Sequence, residues 1–236
     1  MTPRRLLRSA SSDAEARKVA DDEGFDAVPL VRKDGLVREF WNRTTGKRTR
    51  LTIRNSTPHD APVERLLPAL GGHVAQFVFY RSEMVGLVDA SDLNKPISCL
   101  AWLEPMLTLE RYILDAVADR RIEDELQAAA LGKAAKSTRA FQARAKNHDL
   151  MLPLLEYAQF PSLLRASRNL GITEVSDGEI ESLNEVRKRA AHAGGAIIRD
   201  RSDCARLQEA LALARSLASS ISKHRRSKPK TILAQR

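Results

Sequence analysis

Two residue types suited to phosphate chemistry lie close together in the stretch NEVRKRAAHAGG, residues 184–195. Arg187 carries a guanidinium group that can bind a phosphate through two parallel hydrogen bonds. His192, five positions later, has an imidazole that titrates near neutral pH and can move a proton to or from a hydroxyl. On a regular helix the two side chains would point about 140° apart. A shared site would therefore need bent local geometry or a second copy of the helix.

The residues around this pair fit the same chemistry or a simpler structural role. Lys188 and Arg189 could contact an RNA backbone, but Arg189 also follows Glu185 by four residues, which predicts a surface ion pair. Arg187 could lie on a solvated face, and His192 could close the C-terminus of the helix before the two glycines. Both interpretations stay open at the level of sequence.

A second set of chemically suited residues lies in MVGLVDASDLNKP, residues 84–96. The carboxylate of Asp92 offers two acceptor oxygens, which suit the hydroxyls of a ribose. Asp89 would repel a charged phosphate unless Lys95 compensates. Asp92 could equally be the N-cap of a helix without any ligand.

The elements that must position Asp89 and Asp92 alternate between helix and strand up to about residue 98. Ser12 predicts the N-cap of a first helix and Gly24 its end, and AVPLV and LVREFW then predict two strands. The same order returns with Asp60 as an N-cap, a Gly-Gly terminator, and strands at VAQFVFY and VGLVD. RLTIR, residues 50–54, alternates polar and apolar residues and predicts one more strand.

This recurrence is an internal repeat of roughly 50 residues. Its two copies share the pattern R-x-D/E followed by G-L-V, at Arg32 to Val37 and at Arg81 to Val88. We expect the copies to pack together, because one copy cannot cover both faces of its sheet.

From about residue 99 the strand signals vanish and five helical stretches follow, which predicts an all-α bundle. The first places an apolar face at helical spacing, and the second is predicted to be continuous despite Gly132. The fourth begins at Ser176 or Asp177. The predicted apolar face of the first helix comprises Leu100, Leu103, Leu107, Leu114 and Val117, with Met106, Leu109 and Ile113 on the same broad face.

The net charge of +9 is concentrated at the two ends of the chain. Residues 223–236 carry six Lys or Arg and no acid, residues 1–8 carry three Arg and no acid, and 30 basic and 30 acidic residues remain between them. We expect a disordered C-terminal tail, with a phosphate-attracting arm as the alternative. No apolar run approaches the length of a membrane span, and Cys99 and Cys204 are expected to be free thiols in a reducing cytoplasm.

Residues 1–98 resemble a tandem pair of CBS motifs, a module that binds adenine nucleotides in a cleft between its halves. The resemblance rests on residues 84–96, where a Gly-hydrophobic-hydrophobic strand leads to the family's Ser/Thr-x-x-Asp. It implies that Asp92 binds ribose hydroxyls, with Asp89 and Lys95 beside the phosphates. Asp89 departs from the family's Ser/Thr, and no matching Asp follows GLVREFW near Trp41 and Asn42 in the first copy. At most one of the two sites is therefore expected.

Residues 99–222 resemble the HEPN superfamily, small helical bundles whose signature is Arg, four to six residues, then His. Arg187 and His192 match this signature near the start of the fourth helix, although Lys188 replaces a small polar residue that commonly follows the arginine. The resemblance implies a metal-independent endoribonuclease that acts as a homodimer. Its composite site would use Arg187 and His192, with RNA contacts from Lys188 and Arg189.

The sequence thus predicts an α+β multidomain protein with a tandem CBS-like regulatory domain (1–98), a HEPN-like helical bundle (99–222) and a basic disordered tail (223–236). The leading hypothesis is a cytoplasmic homodimeric ribonuclease regulated by an adenine nucleotide, with no metal and no required cofactor. The alternative is a catalytically inactive nucleotide sensor, RNA-binding protein or scaffold with the same folds. A plain nucleic-acid binder that uses its basic tail is a third hypothesis.

Overall fold

The computed structural model describes residues 9–148, 150, 152–192 and 196–227, and in this range strands occur only before residue 90. The strands are β1 (Ala27–Val31), β2 (Val37–Asn42), β3 (Lys47–Arg50), β4 (Ser56–Pro58), β5 (Ala75–Tyr80) and β6 (Glu83–Asp89). The α-helices are α1 (Asp13–Glu23), α2 (Leu66–Gly72), α3 (Pro96–Asp119), α4 (Asp124–Leu131), α5 (Ala135–Lys146), α6 (Phe160–Asn169), α7 (Asp177–Ala191) and α8 (Arg201–Ser227). Short 3-10 helices occupy Ile53–Asn55, Val63–Arg65, Ala90–Asn94, Gly132–Ala134 and Leu154–Tyr157.

The strands form two three-stranded sheets, each built around an antiparallel hairpin. In the first sheet β1, β2 and β3 are antiparallel neighbours, and Ala10 forms a parallel bridge with Leu30 before α1. In the second sheet β4 runs parallel to β5, and β5 pairs antiparallel with β6. Each copy therefore has a helix and then an antiparallel hairpin, in the order that the sequence repeat predicted. The short parallel segment before each helix was not predicted.

The two copies pack together through a small apolar cluster. Ala27 and Phe40 of the first copy are buried with Ala75 and Phe77 of the second. The rings of Phe40 and Phe77 lie with their centroids 4.8 Å apart and tilted by 46°, a geometry that aromatic pairs favour. The expected packing between the copies is thereby confirmed.

The folded chain divides into two compact units. The first, here called the N-terminal unit, comprises Met1–Ala101 and Ala196–Gln208. The second, here called the helical unit, comprises Trp102–Gly195 and Glu209–Arg236. The sequence assigned residues 196–208 to the helical half, whereas the structure places them in the N-terminal unit.

Asn94 forms two hydrogen bonds with the segment 196–208. Asn94 donates a hydrogen bond from Nδ2 to the carbonyl oxygen of Ile198 and accepts one at Oδ1 from the amide of Ile198, each at 2.8 Å. Because Ile198 is buried, these bonds satisfy backbone groups that are shielded from water. Asn94 and Ile198 are 104 residues apart in the chain. No periodic pattern in the sequence predicts that they are in contact.

We expect Asn94→Ala to lower the free energy of unfolding of the N-terminal unit by about 2 kcal/mol, since it leaves a buried donor and a buried acceptor without partners. Urea denaturation followed by circular dichroism measures the loss. Asn147→Ala, at an exposed position, is the matched control and should change stability by less than about 0.5 kcal/mol. A loss as small for Asn94→Ala as for the control would contradict this assignment.

The first predicted bundle helix buries part of its expected apolar face, including Val117, and leaves another part exposed. Four side chains of α3 are fully buried, namely Trp102, Met106, Leu109 and Ile113. Leu100 and Leu107, from the predicted core face, are 63% and 47% exposed. The apolar residues of α3 form two stripes, and the stripe that contains Trp102 is the one in the core.

Four further sequence predictions need correction. The predicted second bundle helix is interrupted at Gly132, whose φ of +54° favours glycine and ends α4. RLTIR is not a strand, since β3 ends at Arg50 and Ile53–Asn55 is a 3-10 turn. Asp60 does not cap α2, because Val63–Arg65 precedes that helix.

The fourth correction concerns the C-terminal tail. Residues 223–227 belong to α8, and Arg225 fixes this end by ion pairs with Asp115 at 3.0 Å and with Asp119 at 2.6 Å. Residues 228–236 of the predicted tail lie outside the described range. Among the residues that are described, no helix is long and apolar enough to span a bilayer.

Candidate functional site

A cleft of about 490 Å³ opens between the two copies of the N-terminal unit. Residues of α1 and β1 line one side, and residues of β5, β6 and the following 3-10 turn line the other. Its apolar lining comprises Phe25, Ala27, Pro29, Val74, Ala75 and Leu87, and its polar lining comprises Glu23, Asp26, Asp89, Ser91 and Asp92.

Asp89 and Asp92 hold each other in place at one end of this cleft. Asp89 ends β6 in an extended conformation, and its Oδ1 accepts hydrogen bonds from the amides of Ser91 (2.8 Å) and Asp92 (3.3 Å) and from the hydroxyl of Ser91 (2.6 Å). In return, Oδ2 of Asp92 accepts from the amide of Asp89 at 3.0 Å. This is a reciprocal capping box, so the N-cap is Asp89 and not Asp92.

Lys95 neutralises Asp92 and not Asp89. Its ammonium group forms an ion pair with Oδ1 of Asp92, so it does not offset the charge of Asp89 in the way that the sequence suggested. Both oxygens of Asp92 have partners, but a carboxylate has about four acceptor lone pairs. Asp92 therefore keeps capacity for a ligand hydroxyl while its backbone position stays fixed.

The charges that line the cleft all have the same sign. Glu23, Asp26, Asp89 and Asp92 are acidic, and among the described lining residues there is no Lys or Arg. A phosphate would be repelled there, whereas a neutral polar group or a cation would not. Sequence reasoning identified Asp89 and Asp92 but missed the facing Glu23 and Asp26, which lie at the end of a helix with no recognisable motif.

In the helical unit, Arg187 contacts two residues from other helices. Its Nη2 lies 2.9 Å from Oε1 of Glu110 on α3, and its guanidinium carbon lies 5.2 Å from the ring centroid of Phe160 on α6. Its Nε is buried and, within the described part of the chain, has no hydrogen-bond partner. Arg187 thus connects three helices through an ion pair and a cation–π contact.

The carboxylate of Glu110 is held in an environment that does not favour its charge. Burial raises the pKa of Glu110 above its ordinary 4.5, and the attraction to Arg187 opposes but does not cancel this rise. Neither Glu110 nor Phe160 was predicted as part of the site. The feature of the sequence that could have indicated this site is Glu110, an acidic residue within the apolar pattern of α3.

Arg187 and His192 lie at the end of their helix, not near its start as predicted. Ser176 and Glu179 form the capping box that begins α7, and His192 is the C-cap, with its amide donating to the carbonyl of Lys188 at 3.2 Å. The helix therefore presents its negative end to this region, which does not attract phosphate. The alternative role of His192 as the residue that closes the helix is the one observed, while Gly194 and Gly195 lie outside the described residues.

The other predicted RNA contacts have different surroundings. Lys188 is exposed, whereas Arg189 forms the predicted ion pair with Glu185 four residues earlier. The structure brings Arg187 together with Glu110 and Phe160, and it leaves the imidazole of His192 exposed.

Cys99 and Cys204 are both free and buried, and burial raises the pKa of the Cys204 thiol, which disfavours the reactive thiolate. Over residues 9–148, 150, 152–192 and 196–227, no group of three or more His, Cys, Asp or Glu is arranged to hold a metal ion. Comparisons with known protein-family models, curated proteins and solved structures found no match.

Proposed function

We propose that the chain is a sensor that binds an adenine nucleoside in the cleft of its N-terminal unit, and that the helical unit is a non-catalytic scaffold. The observation that carries the proposal is the cleft itself, which both copies line and which has apolar walls and two fixed carboxylates at one end. Apolar walls such as Phe25 and Leu87 suit a planar base. A fixed carboxylate such as Asp92 suits ribose hydroxyls.

The scaffold role of the helical unit follows from the partners of Arg187. The guanidinium of Arg187 is paired with Glu110 through Nη2 and packed on Phe160, and both contacts favour a role in helix packing over one in phosphate binding. Arg187 therefore acts in the packing of α3, α6 and α7, as the alternative hypothesis for this fold expected.

Isothermal titration calorimetry with adenosine, AMP and ATP tests the sensor. We expect adenosine to bind, and Asp92→Asn to weaken its binding about tenfold or more, because a hydrogen bond to a charged acceptor contributes about 1.5–3 kcal/mol. Glu83→Gln, an exposed acid on the same strand as Asp89, is the matched control. Absence of adenosine binding, or equal binding by the Asp92→Asn variant, would contradict the proposal.

A second candidate is the metal-independent endoribonuclease with a composite Arg187 and His192 site. It is favoured by the exposure of His192 and Lys188 at the end of α7. Purified protein would be incubated with structured and unstructured RNA in the presence of a chelator, with and without adenine nucleotide. Cleavage that disappears in His192→Ala supports this candidate, and equal cleavage by both proteins rules out its catalytic assignment.

A further inference from the structure

The outer side of α5, with the 3-10 turn before it, carries positive charge that its own sequence does not balance. From Leu126 to His148 the chain contains no Asp or Glu. Thr138 and Gln142 are the buried residues of the helix, so the charged side chains lie around the rest of its circumference. We call the five exposed cations of this segment the α5 basic face, which comprises Lys133, Lys136, Arg139, Arg144 and Lys146.

These five cations differ from many arginines of the molecule because they lack a carboxylate partner. On the neighbouring helix α6, Arg165 and Arg168 both contact Asp177, at 3.5 Å and 3.3 Å. Among the described residues, by contrast, none of the five cations of the α5 basic face forms an ion pair. Their charge is therefore available to a partner outside the chain.

The acidic residues near α5 are directed elsewhere or lie beyond this face. Asp124 accepts a hydrogen bond at 3.2 Å from Gln142, on the buried side of α5. Glu156 lines a cavity together with Asp124 and residues of α3. Glu125 is exposed in the first turn of α4, and Asp149 lies outside the described residues. The α5 basic face thus keeps a net positive charge that attracts an anionic surface.

Three exposed apolar side chains lie beside the C-terminal half of α5. Phe141 is 49%, Leu150 54% and Leu152 43% exposed. The amide of Leu150 donates to the carbonyl of Ala145 at 3.2 Å, and Nε2 of Gln142 donates to the carbonyl of Leu152 at 3.2 Å. These bonds hold both leucines next to the helix. We call Phe141, Leu150 and Leu152 the apolar anchor.

We propose that the α5 basic face and the apolar anchor dock the helical unit on an anionic phospholipid surface. A segment that binds in the membrane interface combines Lys and Arg with exposed aromatic and aliphatic side chains. Each cation close to an anionic leaflet strengthens binding about fivefold. The guanidinium carbon of Arg144 lies 5.9 Å from the ring centroid of Phe141, so a charge and an apolar group would reach the interface together.

The composition of the apolar anchor favours a lipid over a nucleic acid as the anionic partner. Proteins bind single-stranded nucleic acids by stacking bases on aromatic rings between basic residues. Leu150 and Leu152 have no ring on which a base could stack, whereas the boundary between headgroups and acyl chains accepts aliphatic side chains. The docking is also independent of the cleft in the N-terminal unit, because every residue that it uses belongs to the helical unit.

Co-sedimentation of the full chain with lipid vesicles tests the charge requirement. We expect binding to phosphatidylcholine vesicles that contain about 30% phosphatidylserine, and binding at least about tenfold weaker to phosphatidylcholine alone. The double variant Arg139→Gln/Arg144→Gln should weaken binding to the anionic vesicles at least about tenfold. Lys18→Gln/Lys47→Gln is the matched control, since it removes the same charge from exposed positions of the N-terminal unit. It should change binding less than about twofold.

A second substitution tests the apolar anchor. Phe141→Ala should weaken binding to the anionic vesicles at least about threefold, because it removes apolar area from the interface. Ile53→Ala, at a position that is 92% exposed in the N-terminal unit, should leave binding unchanged. Circular dichroism checks that every variant keeps its helix content.

Three results would overturn the proposal. The first is a wild type that does not bind the anionic vesicles. The second is equal binding by Arg139→Gln/Arg144→Gln, which would assign the vesicle contact to the basic ends of the chain. The third is equal binding by Phe141→Ala. Binding of a single-stranded RNA that is lost in Arg139→Gln/Arg144→Gln, without vesicle binding by the wild type, would assign the face to a nucleic acid instead.

Discussion

Arg187→Ala should lower the free energy of unfolding of the helical unit by about 2–3 kcal/mol, the largest expected effect of any single change at the predicted site. Removing one partner of a fully buried ion pair costs about 3–5 kcal/mol, because the other charge is left unpaired. The side chain of Arg187 is 33% exposed and that of Glu110 19%, so solvent reduces the expected loss. Urea unfolding followed by far-ultraviolet circular dichroism measures it.

Two comparisons isolate the ion pair from a general effect of truncating α7. Lys188→Ala removes a long cationic side chain from the adjacent exposed position and should cost less than about 0.5 kcal/mol. Arg187→Ala should also be less damaging in a Glu110→Gln background, because no buried charge then remains. Equal losses in both backgrounds would show that the charge on Glu110 is not the cause.

The loss should also depend on pH in a defined direction. Burial raises the pKa of Glu110 above 4.5 and Arg187 lowers it, so removing Arg187 raises the folded-state pKa further. A carboxyl whose pKa is higher in the folded state destabilises the fold as pH rises from its unfolded value through its folded value. The difference in stability between wild type and Arg187→Ala should therefore be large at pH 7 and smaller near pH 4.

In the cleft, Asp89→Ser should raise the affinity for AMP relative to adenosine about tenfold, which corresponds to about 1.4 kcal/mol. The substitution removes one negative charge from the end of the cleft, while serine remains a good N-cap for the turn that follows β6. Calorimetric titration of both compounds into wild type and variant gives the ratio.

The same titration with Glu83→Gln distinguishes a local effect from a change in net charge. Glu83 lies on β6 outside the set of residues that line the cleft, so its removal should alter the ratio less than about twofold. A ratio that Asp89→Ser leaves unchanged would mean that the phosphate does not lie near Asp89.

Local signals predicted the helix ends where a side chain or a glycine determines them. Ser12 caps α1 and Gly24, with φ of +72°, ends it, and Ser176 begins α7 through a capping box. These features depend on neighbouring residues alone. The residues that the two repeat copies share did not predict equivalent local structure. Gly35 lies in a turn with φ of +78°, whereas Gly86 lies within β6 opposite Val78.

The candidate sites could be predicted only in part, because their partners are distant in sequence. Asp89 and Asp92 were identified from one segment, but the carboxylates of Glu23 and Asp26 reach the same cleft only through the packing of two repeat copies. Arg187 was identified for its chemistry, but its partner Glu110 lies on another helix. Composition and periodicity do not predict which charged residues of different helices contact each other.

The return of residues 196–208 to the N-terminal unit has a consequence for any fragment of this protein. The chain leaves that unit at Ala101 and re-enters it at Ala196, so the helical unit is largely inserted within the sequence of the other. A polypeptide cut after residue 101 would lack Ile198 and leave the side-chain amide of Asn94 without the backbone groups that it binds. Separate expression of the N-terminal unit therefore requires a polypeptide that also carries the segment 196–208.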